Sequence, residues 1–381
     1  MTTQKLFYED PYQTEFTAQV LRCEQRQGGW DVVLDRSCFY PEGGGQPCDT
    51  GTLGLARVTD VHEREGEIVH RCTAPLSGRV SGRIDWARRF DLMQQHSGEH
   101  IVSGLIHALY GYENVGFHMG AETITIDLSG ELDEAALRGI EAQANAYLWR
   151  DEPVQVSWPT AEELAVLPYR SKKTLTGAVR IVTFPGADCC ACCGTHVRRT
   201  GEIGLVRLLS CQRFREGVRI EMLCGGRALA HDIALAEQNT RVSQRLSAKP
   251  METAAAVERM QQENAALSYR VTGLENRVFA AIAAQYAGAA RVLHFEPGLD
   301  SDGVRRLAAA VMERTSGLVA VCSGEDGGYK YCLGQTGGDL RVLTRAWNAA
   351  LQGRGGGKPF FTQGSVAADR AAIEAFWAAQ E

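Results

Sequence analysis

Two pairs of potential metal ligands, each with a four-residue step, constrain the fold of this chain more than any other feature. His96 and His100 form the first pair, and Cys192 and His196 form the second pair much further along the sequence. Residues four apart lie one above the other on a helix, so His96 and His100 can bind the same ion. Imidazole nitrogen and thiolate sulfur together suit Zn²⁺. A single zinc site would require the fold to bring two distant segments together.

The same residues admit other interpretations. A zinc protease would carry glutamate directly after the first histidine, and Ser97 occupies that position. Cys189 and Cys192, or Cys190 and Cys193, have the CxxC spacing of a redox pair. A zinc ribbon would need a second CxxC, which the other cysteines do not supply. The matching steps of the two ligand pairs favour a metal site.

Composition places the chain among ordinary globular proteins of a reducing compartment. Of its 381 residues, 44% are hydrophobic and 23% are charged. It has no apolar run of the roughly 18 residues needed to span a membrane, and its first ten residues lack the pattern of a secretory signal. Twelve cysteines without an export signal indicate thiols or metal ligands rather than disulfides. We therefore expect a cytoplasmic protein.

The charge is distributed unevenly. The net charge is −6, yet residues 167–227 hold eleven basic and four acidic side chains, a local excess of seven positive charges. Such a stretch predicts either a solvated face or a nucleic-acid contact. Its basic residues are Arg170, Lys172, Lys173, Arg180, Arg198, Arg199, Arg207, Arg213, Arg215, Arg219 and Arg227.

The hydrophobic pattern predicts an α+β protein of four parts. Short alternating strands broken by Gly and Pro predict a small β-barrel over residues 1–85, which contains the Gly-rich segment Phe39–Gly51. Residues 86–227 read as an α+β domain that begins with a helix from Trp86 to about Tyr110. A helical hairpin over 228–286 and a small α/β domain over 287–381 complete the chain.

The second helix of the predicted hairpin, from about Thr253 to Gln285, has apolar residues in a heptad repeat. One seam position holds Val257, Asn264, Val271 and Val278, and the other holds Met260, Leu267, Leu274 and Ala281. A break at Pro250 favours an antiparallel hairpin within one chain, whereas Asn264 in the seam suits a two-chain coiled coil. A homodimer through the helical or C-terminal region is therefore an open alternative.

Taken together, these motifs resemble a known family. The two ligand pairs and Phe39-Tyr-Pro-Glu-Gly-Gly-Gly-Gln46 are similar to the editing region of alanyl-tRNA synthetase and its free-standing relatives, the AlaX proteins. The order of barrel, α+β domain and helices matches the long AlaX class, and Gly353-Arg-Gly-Gly-Gly-Lys358 resembles the DHH-associated tail. The editing domain of threonyl-tRNA synthetase shares the metal-site pattern, but the barrel and tail favour the alanyl class.

The resemblance implies hydrolysis of mischarged Ser-tRNA(Ala) or Gly-tRNA(Ala), acting on the acceptor end of the tRNA. It implies Zn²⁺ held by His96, His100, Cys192 and His196, with either four protein ligands or three and a water. Candidate substrate-binding residues are Gly43, Gly44, Gly45, Gln46, His118, Thr123 and Thr125. The alternative function is a non-catalytic, zinc-containing tRNA-binding protein.

Two residues depart from the family pattern. Cys193 replaces the first glycine of the usual Cys-Gly-Gly-Thr-His, and His118 stands near a position where the synthetase carries glutamine. The chain starts directly at the barrel, so we expect no aminoacylation domain. It contains no Asp-His-His triplet, so we expect no phosphoesterase chemistry from the tail.

Overall fold

The computed structural model describes residues 2–171 and 177–380. The chain divides into two compact units, Met1–Thr240 and Arg241–Glu381. Helices and sheets occur in both units, which confirms the α+β class. The finer boundaries at residues 85, 227 and 286 stay predictions. Within the described ranges, no helix combines the length and apolar character that crossing a membrane requires.

The first unit begins with a barrel of short strands. Its elements are β1 Gln4–Lys5, α1 Leu6–Glu9, β2 Glu15–Arg26, β3 Gly29–Leu34, β4 Arg36–Ser37, β5 Gly51–Leu53, β6 Ala56–Arg64, β7 Glu67–Cys72 and β8 Arg79–Ile84. Six strands pair in the order β2-β3-β7-β6-β5-β8, and β8 pairs back with β2 to close the ring. Alternate side chains such as Val80 and Ile84 of β8 point into the barrel core, as the period of a strand requires.

Two helices on a four-stranded sheet form the second part of this unit. Its elements are α2 Trp86–Tyr110, β9 Asn114–Met119, β10 Ile124–Leu128, α3 Glu134–Leu148, β11 Gln155–Ser157, α4 Ala161–Val166, β12 Ile181–Phe184, β13 Asp188–Ala191, β14 Val206–Phe214, β15 Gly217–Cys224 and α5 Gly225–Arg245. One sheet has the order β14-β15-β10-β9, and a smaller sheet has the order β11-β12-β13. Helices α2 and α3 contribute most of the helical side chains in the core against the larger sheet.

Helix α2 has clear sequence signals at both ends. The Asp85 side chain caps it by accepting a hydrogen bond from the Arg88 backbone N–H at 3.2 Å. Gly111 ends it in the left-handed conformation, with φ of 71°. These signals explain why the predicted bounds, Trp86 to Tyr110, are confirmed.

A buried ion pair fastens α2 to the barrel. The Arg89 guanidinium and the Asp49 carboxylate are both inaccessible to solvent, and Arg89 Nε lies 3.0 Å from Asp49 Oδ1. Arg89 also donates to the backbone carbonyls of Cys38 and Pro11. Since Asp49 belongs to the Gly-rich segment, this pair fixes that segment against the beginning of α2.

The second unit is a sheet with helices on both faces. Its elements are α6 Thr253–Ala284, β16 Arg291–Phe295, α7 Ser301–Met312, β17 Leu318–Glu325, β18 Gly328–Gln335, α8 Arg341–Ala350, β19 Arg354–Lys358, β20 Phe361–Val366 and α9 Arg370–Ala378. The strand order is β16-β17-β18-β20-β19. Val319 and Val321 face α6 and α7, whereas Ala320 and Cys322 face α8 and α9, because neighbouring residues of β17 point to opposite sides.

Both helices of the predicted hairpin are present, as α5 and α6; α6 begins at Thr253, as expected, and ends one residue before Gln285. Apolar residues of the α6 seam lie at the surface, with at least half of each accessible area exposed; they are Met260, Leu267, Val271, Leu274 and Val278. The Gly-rich tail segment forms the edge strand β19. Strand β20 ends at Val366, and the last helix, α9, begins at Arg370.

Candidate metal centre

The four predicted ligands meet at one point. One donor atom from each of His96, His100, Cys192 and His196 lies within 4.8 Å of the other three. Cys192 Sγ is 3.3 Å from His196 Nε2 and 3.5 Å from His96 Nε2. The three imidazoles are almost fully buried. This cluster can hold a metal ion, and its donors are the nitrogen and sulfur atoms that transition metals prefer.

A hydrogen bond fixes the far nitrogen of each imidazole. His96 Nδ1 lies 2.9 Å from Gln46 Oε1, and His100 Nδ1 lies 2.8 Å from Asp188 Oδ2. His196 Nδ1 lies 3.2 Å from Ser97 Oγ. Since the amide and carboxylate oxygens accept hydrogen bonds from Nδ1–H, they leave Nε2 of His96 and His100 free to bind a metal.

The two segments that carry the ligands are built to approach closely. Helix α2 presents His96 and His100 one turn apart, and the β12–β13 hairpin leads directly into Cys192. A side chain at Gly194 would overlap the His96 ring and crowd Gln46 Oε1. The second glycine of the family motif is therefore required here by space. Cys193, in the position of the first glycine, is exposed.

The cluster's own charges favour the metal-binding form of its thiol. Burial alone would raise the pKa of Cys192, but the surrounding imidazoles hold that pKa well below the usual thiol value. Burial lowers the pKa of His196 to about 3, so its ring is neutral near pH 7. Burial would also lower the pKa of His100, but the Cys192 thiolate and the Asp188 carboxylate raise it well above its ordinary value.

A cavity of about 480 Å³ opens beside the cluster. Its wall includes the ligands His96, His100 and Cys192. Other wall residues come from the Gly-rich segment, α2, β9 and the β13 region; among them are Gly44, Gly45, Glu99, Phe117, Arg170, Cys190 and Cys193. A substrate group that entered this space would lie against the cluster.

The Gly-rich segment reaches the centre in two ways. Gly44 and Gly45 line the cavity, and Gly45 has a φ of 83° and packs against the Phe117 ring, where a side chain would clash. Gln46 is fully buried and instead orients the ligands, since it binds His96 and also Thr195 through two hydrogen bonds. Gly43 pairs with Gln46 in a tight turn and does not line the cavity.

The structure does not bring His118, Thr123 and Thr125 into the cavity wall. The Phe117 ring faces His96, with ring centroids 5.3 Å apart, so the next residue, His118, points to the opposite face of β9. Thr125 is paired with His118 across the sheet, and its neighbours Ile124 and Ile126 occupy the core side. Thr123 lies in the turn before β10, where its carbonyl accepts from Gly120.

Sequence reasoning missed two buried acidic residues near the predicted ligands, Asp188 and Glu99. Asp188 is buried and binds both His100 and Arg170, at 2.8 Å each. Glu99 is buried and lines the cavity. Its spacing of three residues from His96 placed it on the same helix face and could have revealed it. Asp188 precedes the cysteine cluster without a motif of its own.

Most of the basic stretch is neutralised locally. Of the nine of its basic residues that the structure describes, seven form ion pairs; they are Arg170, Arg198, Arg199, Arg207, Arg213, Arg219 and Arg227. Partners such as Asp10, Asp127 and Asp151 lie outside the stretch, so counting charges within it overstated the excess. Lys172 and Lys173 lie outside the described residues.

Two family models match parts of this chain. Residues 179–221 match the family model "Threonyl and Alanyl tRNA synthetase second additional domain", and residues 2–88 match "tRNA synthetases class II (A)". A solved C-Ala domain of alanyl-tRNA synthetase from Aquifex aeolicus is 20% identical and covers 24% of this chain and 92% of that domain. Its TM-score is 0.21, too low to describe the fold.

Several curated relatives cover most of the chain. An alanine–tRNA ligase from Halorubrum lacusprofundi is 33% identical over 87% of this chain, which spans 38% of the ligase. The alanyl-tRNA editing protein AlaX-L from Pyrococcus horikoshii is 33% identical over 60% of this chain and 59% of its own length. The alanyl-tRNA editing protein Aarsd1-B from Xenopus laevis is 31% identical over 68% of this chain and 67% of its own length. The chain therefore belongs to the alanyl-tRNA editing protein family.

Proposed function

We propose that this chain hydrolyses the ester that joins serine or glycine to tRNA(Ala), with the help of a zinc ion. The observation that carries the proposal is the meeting of the four predicted ligands, three of which line a cavity. The relatives named alanyl-tRNA editing proteins support this substrate class.

Three imidazoles and one thiolate form a donor set that suits zinc. Bound there, zinc would polarise the ester carbonyl or lower the pKa of a water molecule. The protein contributes the alignment of the imidazoles through Gln46, Ser97 and Asp188. Such partners of metal ligands typically change metal affinity or activity by about 10- to 100-fold when they are removed.

The need for this reaction follows from the limits of binding energy. A synthetase pocket for alanine discriminates weakly against glycine, which lacks one methyl group, and serine, which adds one hydroxyl. A second site that hydrolyses the wrong ester corrects such errors. The cavity volume of about 480 Å³ is within the range of about 300–1,000 Å³ usual for small-molecule sites.

Deacylation of Ser-, Gly- and Ala-tRNA(Ala), together with metal analysis, tests the proposal. We expect release of serine or glycine, little release of alanine, and one zinc per chain. The variants His100→Ala and Cys192→Ala should lose the activity and the zinc. Cys211→Ala is the matched control, because Cys211 lies on β14 and outside the cluster.

Two results would overturn the proposal. Zinc-loaded protein that binds tRNA(Ala) without releasing any amino acid would favour the non-catalytic alternative. Full activity of Cys192→Ala would remove the cluster from the reaction.

A further inference from the structure

An aromatic platform lies at the surface of the first unit and consists of Tyr8 and Trp158. Tyr8 belongs to α1, and Trp158 directly follows β11. Their ring centroids lie 5.8 Å apart in an edge-to-face arrangement, and Trp158 is 52% exposed. We propose that the Trp158 ring stacks on an unpaired base near the 3′ end of the tRNA. This inference rests on the proposed function and names a residue that positions the substrate.

The register of the small sheet places Trp158 at the same end of the sheet as the predicted ligand Cys192. Ser157 pairs with Ile181, and Ile181 pairs with Ala191, so these three residues form one row across the sheet. Trp158 and Cys192 are the next residues along the two outer strands. Neighbouring strands lie about 4.8 Å apart, so the outer strands are about 10 Å apart where Trp158 and Cys192 follow them.

Arg180, which directly precedes β12, connects the platform with the segment 192–196. Its guanidinium lies 5.1 Å from the centre of the Tyr8 ring. The same group donates to the backbone carbonyls of Cys192 and Gly194, at 2.8 and 2.9 Å. Since Arg180 is buried, packing holds these contacts in place. The platform is therefore fixed against the segment whose members Cys192 and Cys193 line the cavity.

The chemistry of the substrate supplies unpaired bases at this position. The amino acid is esterified to the last nucleotide of the tRNA, and the nucleotides just before it are single-stranded. Cys193 lines the cavity and is exposed, so the cavity opens to solvent beside the segment that Arg180 holds. With an ester at the predicted ligands, the preceding nucleotides would leave the cavity there. Stacked nucleotides rise about 3.4 Å each, so about three of them span the roughly 10 Å between the outer strands.

An exposed indole suits this contact. Every base has a π-face, so stacking on an aromatic ring tolerates any sequence, and many proteins bind single-stranded nucleic acids in this way. Because Tyr8 packs against the Trp158 ring, that ring is oriented before a base arrives. Such preorganisation lowers the entropic cost of binding.

Two forms of uncharged tRNA(Ala) test the inference: the complete molecule and one that lacks the unpaired 3′ nucleotides. We expect wild-type protein to bind the complete form more tightly. Trp158→Ala should weaken binding of the complete form by about 5- to 100-fold, as expected for the loss of one base–aromatic stack, and leave binding of the shortened form unchanged. Fluorescence anisotropy at one fixed salt concentration measures both dissociation constants, because phosphate contacts make them salt-dependent.

Three further variants separate stacking from folding and from general apolar contact. Trp158→Tyr keeps an aromatic face and should retain most of the affinity for the complete form. Trp158→Leu keeps only apolar surface and should behave like Trp158→Ala. Trp149→Ala removes another exposed ring of the first unit, 78% exposed at the end of α3, and should bind both forms like wild-type protein.

Either of two results with Trp158→Ala would overturn the inference. Equal losses on both tRNA forms would make Trp158 structural. An unchanged affinity for the complete form would assign the exposed ring to another partner, such as a protein.

Binding and hydrolysis can fail separately. If wild-type protein releases serine from Ser-tRNA(Ala) but binds both uncharged forms equally, the stacking contact is wrong and the proposed function stands. If it releases no amino acid, yet binds the complete form through Trp158, the proposed hydrolysis is wrong and the stacking contact stands. Absence of any tRNA binding overturns both.

Discussion

The two units of this chain differ in what they bury. The first unit buries acids, bases and imidazoles, among them Asp49, Arg89, Glu99 and His100. In the second unit, the buried polar side chains of the described residues are the neutral Ser243, Ser323, Thr344 and Thr362. Burying a charge costs free energy unless partners compensate it. Buried charge is therefore concentrated in the unit that contains the predicted metal ligands, where the ligand side chains must be positioned accurately.

The two units also differ in their surfaces, and here the second unit is the unusual one. Helix α6 of the second unit exposes the apolar seam that its heptad pattern predicts, including Leu267 and Leu274. The coiled-coil and homodimer alternatives concern this seam and stay predictions. The comparison teaches that the first unit is specialised in its interior, whereas the second unit has an ordinary interior and an unusual helix surface.

Breaking the Arg89–Asp49 pair should produce the largest effect on stability. Arg89→Met would leave the Asp49 carboxylate and two backbone carbonyls buried without their partner. We expect a loss of about 3–5 kcal/mol in the free energy of unfolding of the first unit. Denaturant titration measures it. Arg341→Met in the second unit breaks an exposed pair with Asp339 and should cost at most about 0.5 kcal/mol. Equal losses in the two variants would contradict the comparison.

Acid should destabilise the first unit through His70. This buried imidazole lies 2.7 Å from Ser37 Oγ and 3.0 Å from the Val32 carbonyl, and burial lowers its pKa to about 4. The unfolded chain has a histidine pKa of about 6.5. Between pH 6.5 and 4 this histidine is therefore protonated in the unfolded chain and neutral in the folded unit. Stability should therefore fall as the pH drops from about 6.5 to 4, by about 3 kcal/mol in total.

Unfolding of wild-type and His70→Gln at several pH values isolates this contribution. Gln can still bond to Ser37 and Val32, but it does not titrate. The variant should lose most of this acid sensitivity. The same pH slope in both proteins would show that other groups cause the loss.

A side chain at Gly194, between the predicted ligands Cys192 and His196, should weaken metal binding without unfolding the first unit. In Gly194→Ala the new methyl group would push against the His96 ring and Gln46. We expect zinc affinity to fall by about 10- to 100-fold, as for other disturbances of a ligand's support. Competition with a chromogenic chelator measures it. Gly139→Ala is the control, because nothing lies within 4 Å of a side chain there. An unchanged zinc affinity in Gly194→Ala would contradict the prediction, because it would show that the segment around Gly194 moves enough to accommodate the methyl group.

The sequence predicted the parts of this centre that follow local rules. The four-residue steps identified the four residues whose donor atoms meet, and the hydrophobic pattern placed α2 correctly. Each of these signals lies within a few residues, where the geometry of a helix determines which side chains share a face.

The positions of the predicted substrate-binding residues that lie outside the cavity wall depend on long-range pairing. The cavity side of β9 is decided by the contact of Phe117 with α2, and this contact turns His118 away. Gln46 was expected to touch substrate, yet its partners His96 and Thr195 come from two distant segments. The ion pairs of the basic stretch 167–227 are also long-range contacts, because acidic partners such as Asp10 and Asp127 are distant in sequence. No local pattern encodes such contacts.

Two glycines in the middle of helices sharpen the comparison between the units. In α6 of the second unit, a side chain at Gly273 would meet nothing within 4 Å. Gly273→Ala should therefore raise the stability of that unit by about 0.5–1 kcal/mol, because alanine favours the helix. In α2 of the first unit, a side chain at Gly98 would overlap the Cys224 sulfur in the packed core. Gly98→Ala should cost about 1–3 kcal/mol through overpacking. Denaturant titration of both variants measures the two changes, and a shift of the same sign in both would contradict the difference in packing from which they are derived.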